Sequence, residues 1–170
     1  MKKLMILAFV FAIISTANAQ VKTPQASTFQ TNTQIVGLTN VELSYSRPSM
    51  KGRKIFGNLV PYNKLWRTGA NANTTISFDE NVMIGGKIIK AGTYAIYTKP
   101  NMTSWEVYFY SDASNSGTPK NWDSEKVVAT VKANVVSLPF EIETFTLQID
   151  NVTNDTANLG MMWENVYIAV

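Results

Sequence analysis

Beyond residue 32 the apolar residues of this chain recur in runs of period two, and no window of 11 residues carries a helical stripe. Val41, Leu43 and Tyr45 alternate with Glu42, Ser44 and Ser46, and Ile76 and Phe78 alternate with Thr75, Ser77 and Asp79. Trp105, Val107 and Phe109 keep the same period, as do Val127, Ala129, Val131 and Ala133. Successive side chains of a strand point to opposite faces, so this pattern describes strands with one buried face. Gly85-Gly86, set between Val82–Ile84 and Lys87–Ile89, is a two-residue hairpin signal, and Ala91-Gly92 marks a turn before Tyr94, Ile96 and Thr98. The phase changes near Thr144-Phe145 and between Trp163 and Val166 predict β-bulges. About eight to ten short strands with frequent turns predict an all-β fold, an antiparallel β-sandwich or a jelly-roll-like variant of it. Helix is expected only as one or two turns near Gly57 to Trp66.

The N-terminus speaks to compartment. Lys2 and Lys3 precede eleven apolar residues, Leu4 to Ile14, and Ser15-Thr16-Ala17-Asn18-Ala19 ends in the small-x-small pattern of a signal-peptidase site. The apolar run is shorter than the roughly 20 residues that span a bilayer, so residues 1–19 read as a cleaved signal peptide and not as a membrane anchor. No Cys follows the run to accept a lipid. The expected product starts at Gln20, works in the bacterial periplasm or outside the cell, and has 151 residues, the size of one domain. Residues 20–32, rich in Thr, Gln, Ser and Asn, read as a flexible lead-in, and 33–170 as one β domain.

The residue inventory removes several chemistries. Cys and His are both absent, which takes away disulfides, Ser-His-Asp and Cys-His catalysis, and the usual zinc and copper ligands; no cofactor and no metal is expected. Without Lys2 and Lys3 the chain has 13 cations against 12 anions, a balance unlike that of a nucleic-acid-binding surface. The distribution is uneven, however. No Asp or Glu falls between Leu43 and Phe78, where Arg47, Lys51, Arg53, Lys54, Lys64 and Arg67 gather.

Two segments interrupt the strand rhythm and are the places where a β scaffold displays function. In Arg47 to Arg67, with turn residues Pro48, Gly52, Gly57 and Pro61, the guanidinium forks of Arg47, Arg53 and Arg67 and the amine of Lys51 suit a carboxylate, sulfate or phosphate. Trp66 and Tyr62 offer aromatic faces, Gly69 a close backbone approach, and Asn71 an amide contact. The other reading of the same residues is structural. In it Arg47 and Arg67 pin an irregular loop by bonding carbonyls or pairing with Glu80 or Glu164, and the remaining cations are solvated. Within that reading and the first, Arg67 is expected to be mainly structural and Arg47 the better ligand contact.

The second segment, Asp112 to Asp123, places Asp112, Ser114, Ser116, Gly117 and Asp123 at calcium-loop spacing. Neutral third and fifth ligands, the missing Glu at the twelfth position and the lack of flanking helices favour a plain polar loop. Paired carboxylates are the remaining route to acid–base chemistry, through Asp79 with Glu80, Glu141 with Glu143, or Glu164.

Tyr45-Ser46-Arg47-Pro48, Lys51-Gly52-Arg53-Lys54-Ile55-Phe56-Gly57, Leu59-Val60-Pro61-Tyr62 and Trp66-Arg67-Thr68-Gly69-Ala70-Asn71 closely resemble the DUF2911 family. Ala91-Gly92-Thr93-Tyr94-Ala95 and Trp163-Glu164 are similar to its later motifs, and Asn115 to Asp123 matches it least. The resemblance implies export in Bacteroidetes-type bacteria and transfers no catalytic residue, since the family is one of unknown function.

These observations predict a non-enzymatic envelope protein whose β-sandwich binds an anionic small molecule, glycan or peptidoglycan fragment near Arg47, Lys51, Arg53, Trp66, Arg67 and Asn71. The alternatives are a carboxylate-dependent hydrolase of envelope glycans and a protein-interaction module. The compartment is directly testable: intact mass of the protein from its host's periplasm or medium is expected to lack residues 1–19, and retention of Lys2 and Lys3 would refute export with cleavage after Ala19.

Overall fold

The computed structural model describes residues 23–114 and 116–170, and the leader read over residues 1–19 lies outside them. Ten strands follow one another: β1 (Thr28–Val36), β2 (Thr39–Arg47), β3 (Thr75–Phe78), β4 (Val82–Ile84), β5 (Lys87–Ile89), β6 (Gly92–Lys99), β7 (Ser104–Tyr110), β8 (Val127–Asn134), β9 (Val136–Asp150) and β10 (Asn158–Ala169). Every ladder is antiparallel. Six strands form one sheet in the order β1-β2-β3-β6-β7-β8, a meander into which the separate β4–β5 hairpin is inserted. β9 and β10 form the second sheet. A meander lacks the Greek-key crossings of a jelly roll, so the sandwich is the arrangement formed.

The alternation read from sequence selects the buried face. Leu43, Tyr45, Ile76, Ile96, Trp105, Val107 and Phe109 of the large sheet pack with Phe145, Leu147, Leu159, Met161, Trp163 and Ile168 of the second in one core. β6 departs from alternation because both its faces are covered: Tyr94 to Thr98 are all buried. On the outer face Ala95, Tyr97 and Tyr110 are roofed by Leu65 and by Trp122, whose ring stacks on Tyr110 at 4.7 Å.

Three details differ from the sequence reading. Residues 28–32, read as part of a flexible lead-in, belong to β1, whose Thr28 pairs with Arg47. The turns expected near Gly57 to Trp66 are not helical; single bridges, Phe56 with Val60 and Trp66 with Thr98, hold that stretch. Among the described residues, the one helical turn is the 3-10 turn Ser124–Lys126, capped by the Asp123 side chain.

The expected irregularities of β9 and β10 are present and amount to more than bulges. Register breaks on either side of Glu164, which has φ +54°. Leu159 and Val170 exchange both backbone hydrogen bonds, at 2.8 and 3.1 Å. Eleven residues of straight strand would hold those two about 36 Å apart, so β10 doubles back on itself. Its first half pairs with residues 146–150 of β9 and its second half with 136–137, which obliges β9 to bend as well.

The bend in β9 is where the two sheets are joined. Beyond Arg47 the chain leaves the large sheet and pairs with β9: Phe145 N–H donates to Pro48 O (2.9 Å), Met50 N–H donates to Glu143 O (2.7 Å), and Ser49 faces Thr144. Side chains of β1 and β2 complete this seam. The buried Tyr45 hydroxyl donates to Leu147 O (3.0 Å) and accepts from Leu147 N–H (2.9 Å), and Asn32 Nδ2 donates to the same carbonyl at 3.2 Å. Burial, the leading effect, raises the Tyr45 pKa above its ordinary value, so the hydroxyl stays protonated as the donor role requires. A free strand edge needs such partners, because buried backbone groups left unpaired are costly. Tyr45→Phe keeps the ring but strips Leu147 N–H of its acceptor and leaves Leu147 O to Asn32 alone. The expected loss is about 1–3 kcal/mol, read as a lower urea midpoint with an unchanged slope.

Candidate ligand-binding site

The segment that follows the seam is irregular because its backbone takes left-handed conformations that interrupt any ladder. Lys51, Asn63, Thr68 and Asn71 have φ of +50°, +60°, +56° and +56°. Such values are uncommon outside glycine and cluster at sites where the surroundings fix the chain. Here the fixing contacts are visible. Trp66 N–H donates to Thr98 O (2.7 Å) and Thr98 N–H returns the bond (2.9 Å), while Thr68 Oγ1 donates to Thr98 Oγ1 at 3.1 Å. Gly69, at φ +148°, passes so close to β2 that an added Cβ would stand 3.0 Å from both Ser46 O and Thr74 Oγ1.

The outcome is a groove of about 510 Å³ on the outside of the seam, lined by Lys51, Arg53, Trp66 and Arg67 together with Pro48 and Trp163 among others, and by no acidic residue. Four of the six residues singled out from sequence therefore share one surface. Arg53 is fixed by its own loop: Nε donates to Met50 O (2.8 Å) and Nη2 to Ser49 O (2.7 Å). Lys51 is exposed; its backbone N–H is taken by Glu143 Oε1 at 2.9 Å, and its ammonium has no partner among the described residues. Arg67 is half-buried and makes no hydrogen bond or ion pair among the described residues, so its planar fork has its donors available. The half-buried Trp66 ring stacks on the buried Trp163 with centroids 6.0 Å apart and planes inclined by 18°, so Trp66 supplies the aromatic surface of that wall.

Arg47 and Asn71 lie outside this lining. Arg47 Nε donates to Phe145 O (3.2 Å) and Nη2 to Thr146 Oγ1 (2.9 Å), so it belongs to the seam. Asn71 Nδ2 donates to Gln25 Oε1 (3.0 Å) and Ser27 O (3.1 Å), and so holds the N-terminal segment whose Ala26 and Ser27 border the groove. The roles of the two arginines are thus the reverse of the expectation: Arg47 pins the chain and Arg67 faces the groove. Neither pairs with Glu80 or Glu164; the Glu164 carboxylate accepts Phe56 N–H at 3.2 Å. Trp163, which the sequence offered only as a terminal motif, is the lining residue whose place was least expected, and it is set there by its indole N–H donating to Glu143 O (3.1 Å).

Most of the other candidates are engaged locally. Glu141 and Glu143 share an exposed face of β9, with Glu143 engaged by Lys51, and Asp79 Oδ1 accepts Asn40 N–H at 2.7 Å. In the Asp112 to Asp123 loop, Asp112 accepts from the Ser114 hydroxyl (2.6 Å) and amide (3.2 Å) and pairs with Lys126 at 2.8 Å. Asp123 caps Glu125 N–H at 3.0 Å. The Lys126 ammonium, followed by the two Ser114 bonds, holds the Asp112 pKa down at about 2. A depressed folded pKa means that this tie is complete above the ordinary value of 3.8 and is lost as pH falls through about 2. Asp112→Asn is therefore expected to lower stability at neutral pH and to match the native protein near pH 2, measured by denaturant unfolding of both across the acid range.

Neither a curated protein nor a solved structure matches this chain. A family model described as a protein of unknown function matches residues 27–170, the span that contains all ten strands, the seam and most of the groove. The chain belongs to the DUF2911 family.

Proposed function

We propose that this protein is an exported, non-enzymatic binding protein that holds an anionic small molecule or an anionic glycan in the groove beside Lys51, Arg53, Trp66 and Arg67. The observation that carries this reading is the Arg67 guanidinium, half-buried in a groove lined by three cations and no acid, with no partner among the described residues. A structural arginine spends its donors on carbonyls, as Arg47 and Arg53 do. Arg67 keeps its donors for something else, and a carboxylate, sulfate or phosphate matches that fork. The half-buried Trp66 ring, backed by the buried Trp163, adds apolar surface of the kind against which a sugar ring packs. Gly69 brings the backbone to the floor of the same groove.

The reading is tested with inorganic sulfate, inorganic phosphate and a sulfated or uronate oligosaccharide as probes. The native protein is expected to melt at a higher temperature with at least one of them, and the shift to shrink as sodium chloride rises, because exposed charge contacts are screened. Arg67→Ala is expected to melt within about 0.5 kcal/mol of the native protein when free, since no protein bond is lost. It should bind the responsive probe about tenfold or more weakly, the usual size of a charged hydrogen bond. Arg47→Ala is expected to do the opposite, lowering the free protein's melting temperature and leaving the probe's effect in place once stability is matched. Absence of a shift with every anion, or an unchanged shift in Arg67→Ala, would overturn the assignment.

A further inference from the structure

The end of the sandwich away from the basic groove holds a second opening. β2 runs from one to the other: Val41 borders the second opening, and Pro48, just past the end of the strand, borders the groove. Seven residues of strand separate them by about 23 Å. The second opening is a cavity of about 530 Å³, walled by Val41, Ile76, Phe78 and Phe109 of the large sheet and by Ile149 and Leu159 of the second. Its size lies within the roughly 300–1,000 Å³ of small-molecule sites, and an apolar wall with a few polar groups at the edge is their usual composition.

A third wall is supplied by the β4–β5 hairpin, through Val82, Ile84 and the Gly85-Gly86 turn. This hairpin pairs with neither sheet. Its turn is held against β8, where a Cβ on Gly85 would stand 2.8 Å from Val131 Cγ2, and its base is closed by Ala91 N–H donating to Asn81 Oδ1 at 2.9 Å. A two-stranded hairpin has little stability of its own, so this one depends on what its inner face covers. Core side chains that would ordinarily fill such an end leave it open here, although close packing is the rule inside a domain.

We propose that this cavity is a binding site for an uncharged, mainly apolar small molecule with one hydrogen-bonding head, of the kind represented by a medium-chain fatty alcohol or its glycerol ester. The apolar body is set by the three walls named above. The head group is set by the polar lining: Asn81, Asp155, Thr156 and Asn158 provide amide, hydroxyl and carboxylate groups, and no Lys or Arg is among the lining residues. A carboxylate head would meet Asp155 with no cation to offset it, whereas a hydroxyl donates to Asp155 and exchanges bonds with the amides. The basic groove favours an anion and this cavity disfavours one, so the two sites are separable by ligand charge.

The test uses N-phenyl-1-naphthylamine, an uncharged dye that brightens in apolar surroundings, with 1-dodecanol and sodium laurate as competitors. The folded native protein is expected to bind the dye, with dodecanol displacing it at least tenfold more effectively than laurate above pH 7. Ile84→Trp, which fills the cavity from the hairpin side, is expected to lose at least tenfold in dye affinity. Phe140→Ser, which removes an exposed apolar side chain outside the lining, is expected to bind as the native protein does. Should Ile84→Trp fail to fold, Asp155→Lys decides: this exposed position tolerates the change, and the variant is expected to bring laurate up to dodecanol. No dye binding by the native protein, binding indifferent to Ile84→Trp and Asp155→Lys, or equal loss in Phe140→Ser would each overturn the proposal.

Discussion

The pairing of Tyr45 with Leu147 is the contact on which the remaining architecture depends. One phenolic oxygen both donates to and accepts from the backbone of a strand in the opposite sheet, so it stands in for a whole rung of ladder. Around it Asn32, Arg47 and the stretch Pro48 to Met50 dress the same edge of β9. Two sheets packed only by apolar contact can slide; hydrogen bonds across their junction fix one register. The bend in β9, the doubled-back β10 and the course of the chain after Arg47 all take their geometry from that junction.

The groove is a by-product of the same constraint. A chain that crosses between sheets must leave regular structure, and its left-handed residues turn the cationic side chains outward on one surface. Arg53 then satisfies the carbonyls that the crossing exposes, and Trp163 anchors to the carbonyl of Glu143 that also receives Met50. The residues that build the crossing thus surround those that face solvent, and Arg67, unlike Arg47 and Arg53, bonds to no carbonyl among the described residues.

Much of the fold was legible because burial follows side-chain period. Val41, Leu43 and Tyr45, or Ile76 and Phe78, need only face one core for their alternation to declare a strand, and Gly85-Gly86 declares its turn. β1 was not legible. It is an edge strand with four half-buried positions, Gln30, Asn32, Gln34 and Val36, of which the first three are polar and only Val36 packs on the core. The reversal in β10 was under-read because a glutamate, Glu164, occupies the left-handed position where glycine or asparagine would have announced a turn. For the groove, composition singled out four residues, Lys51, Arg53, Trp66 and Arg67, that the structure brings to one surface. It gave Arg47 the ligand and Arg67 the structural role, because what ties Arg47 down is the carbonyl of Phe145, 98 residues along the chain. Local sequence carries no record of so distant a partner.

Three of the four tryptophans, Trp66, Trp105 and Trp163, belong to one aromatic cluster with Phe56 and Phe145, and two of these three line the groove. Rings held rigidly and nearly parallel share their electronic excitation, and an indole at a surface responds to any charge or dipole placed beside it. The molecule therefore carries an intrinsic optical label at the place where an anion would arrive, while Trp122 sits apart in the second cluster as an internal standard.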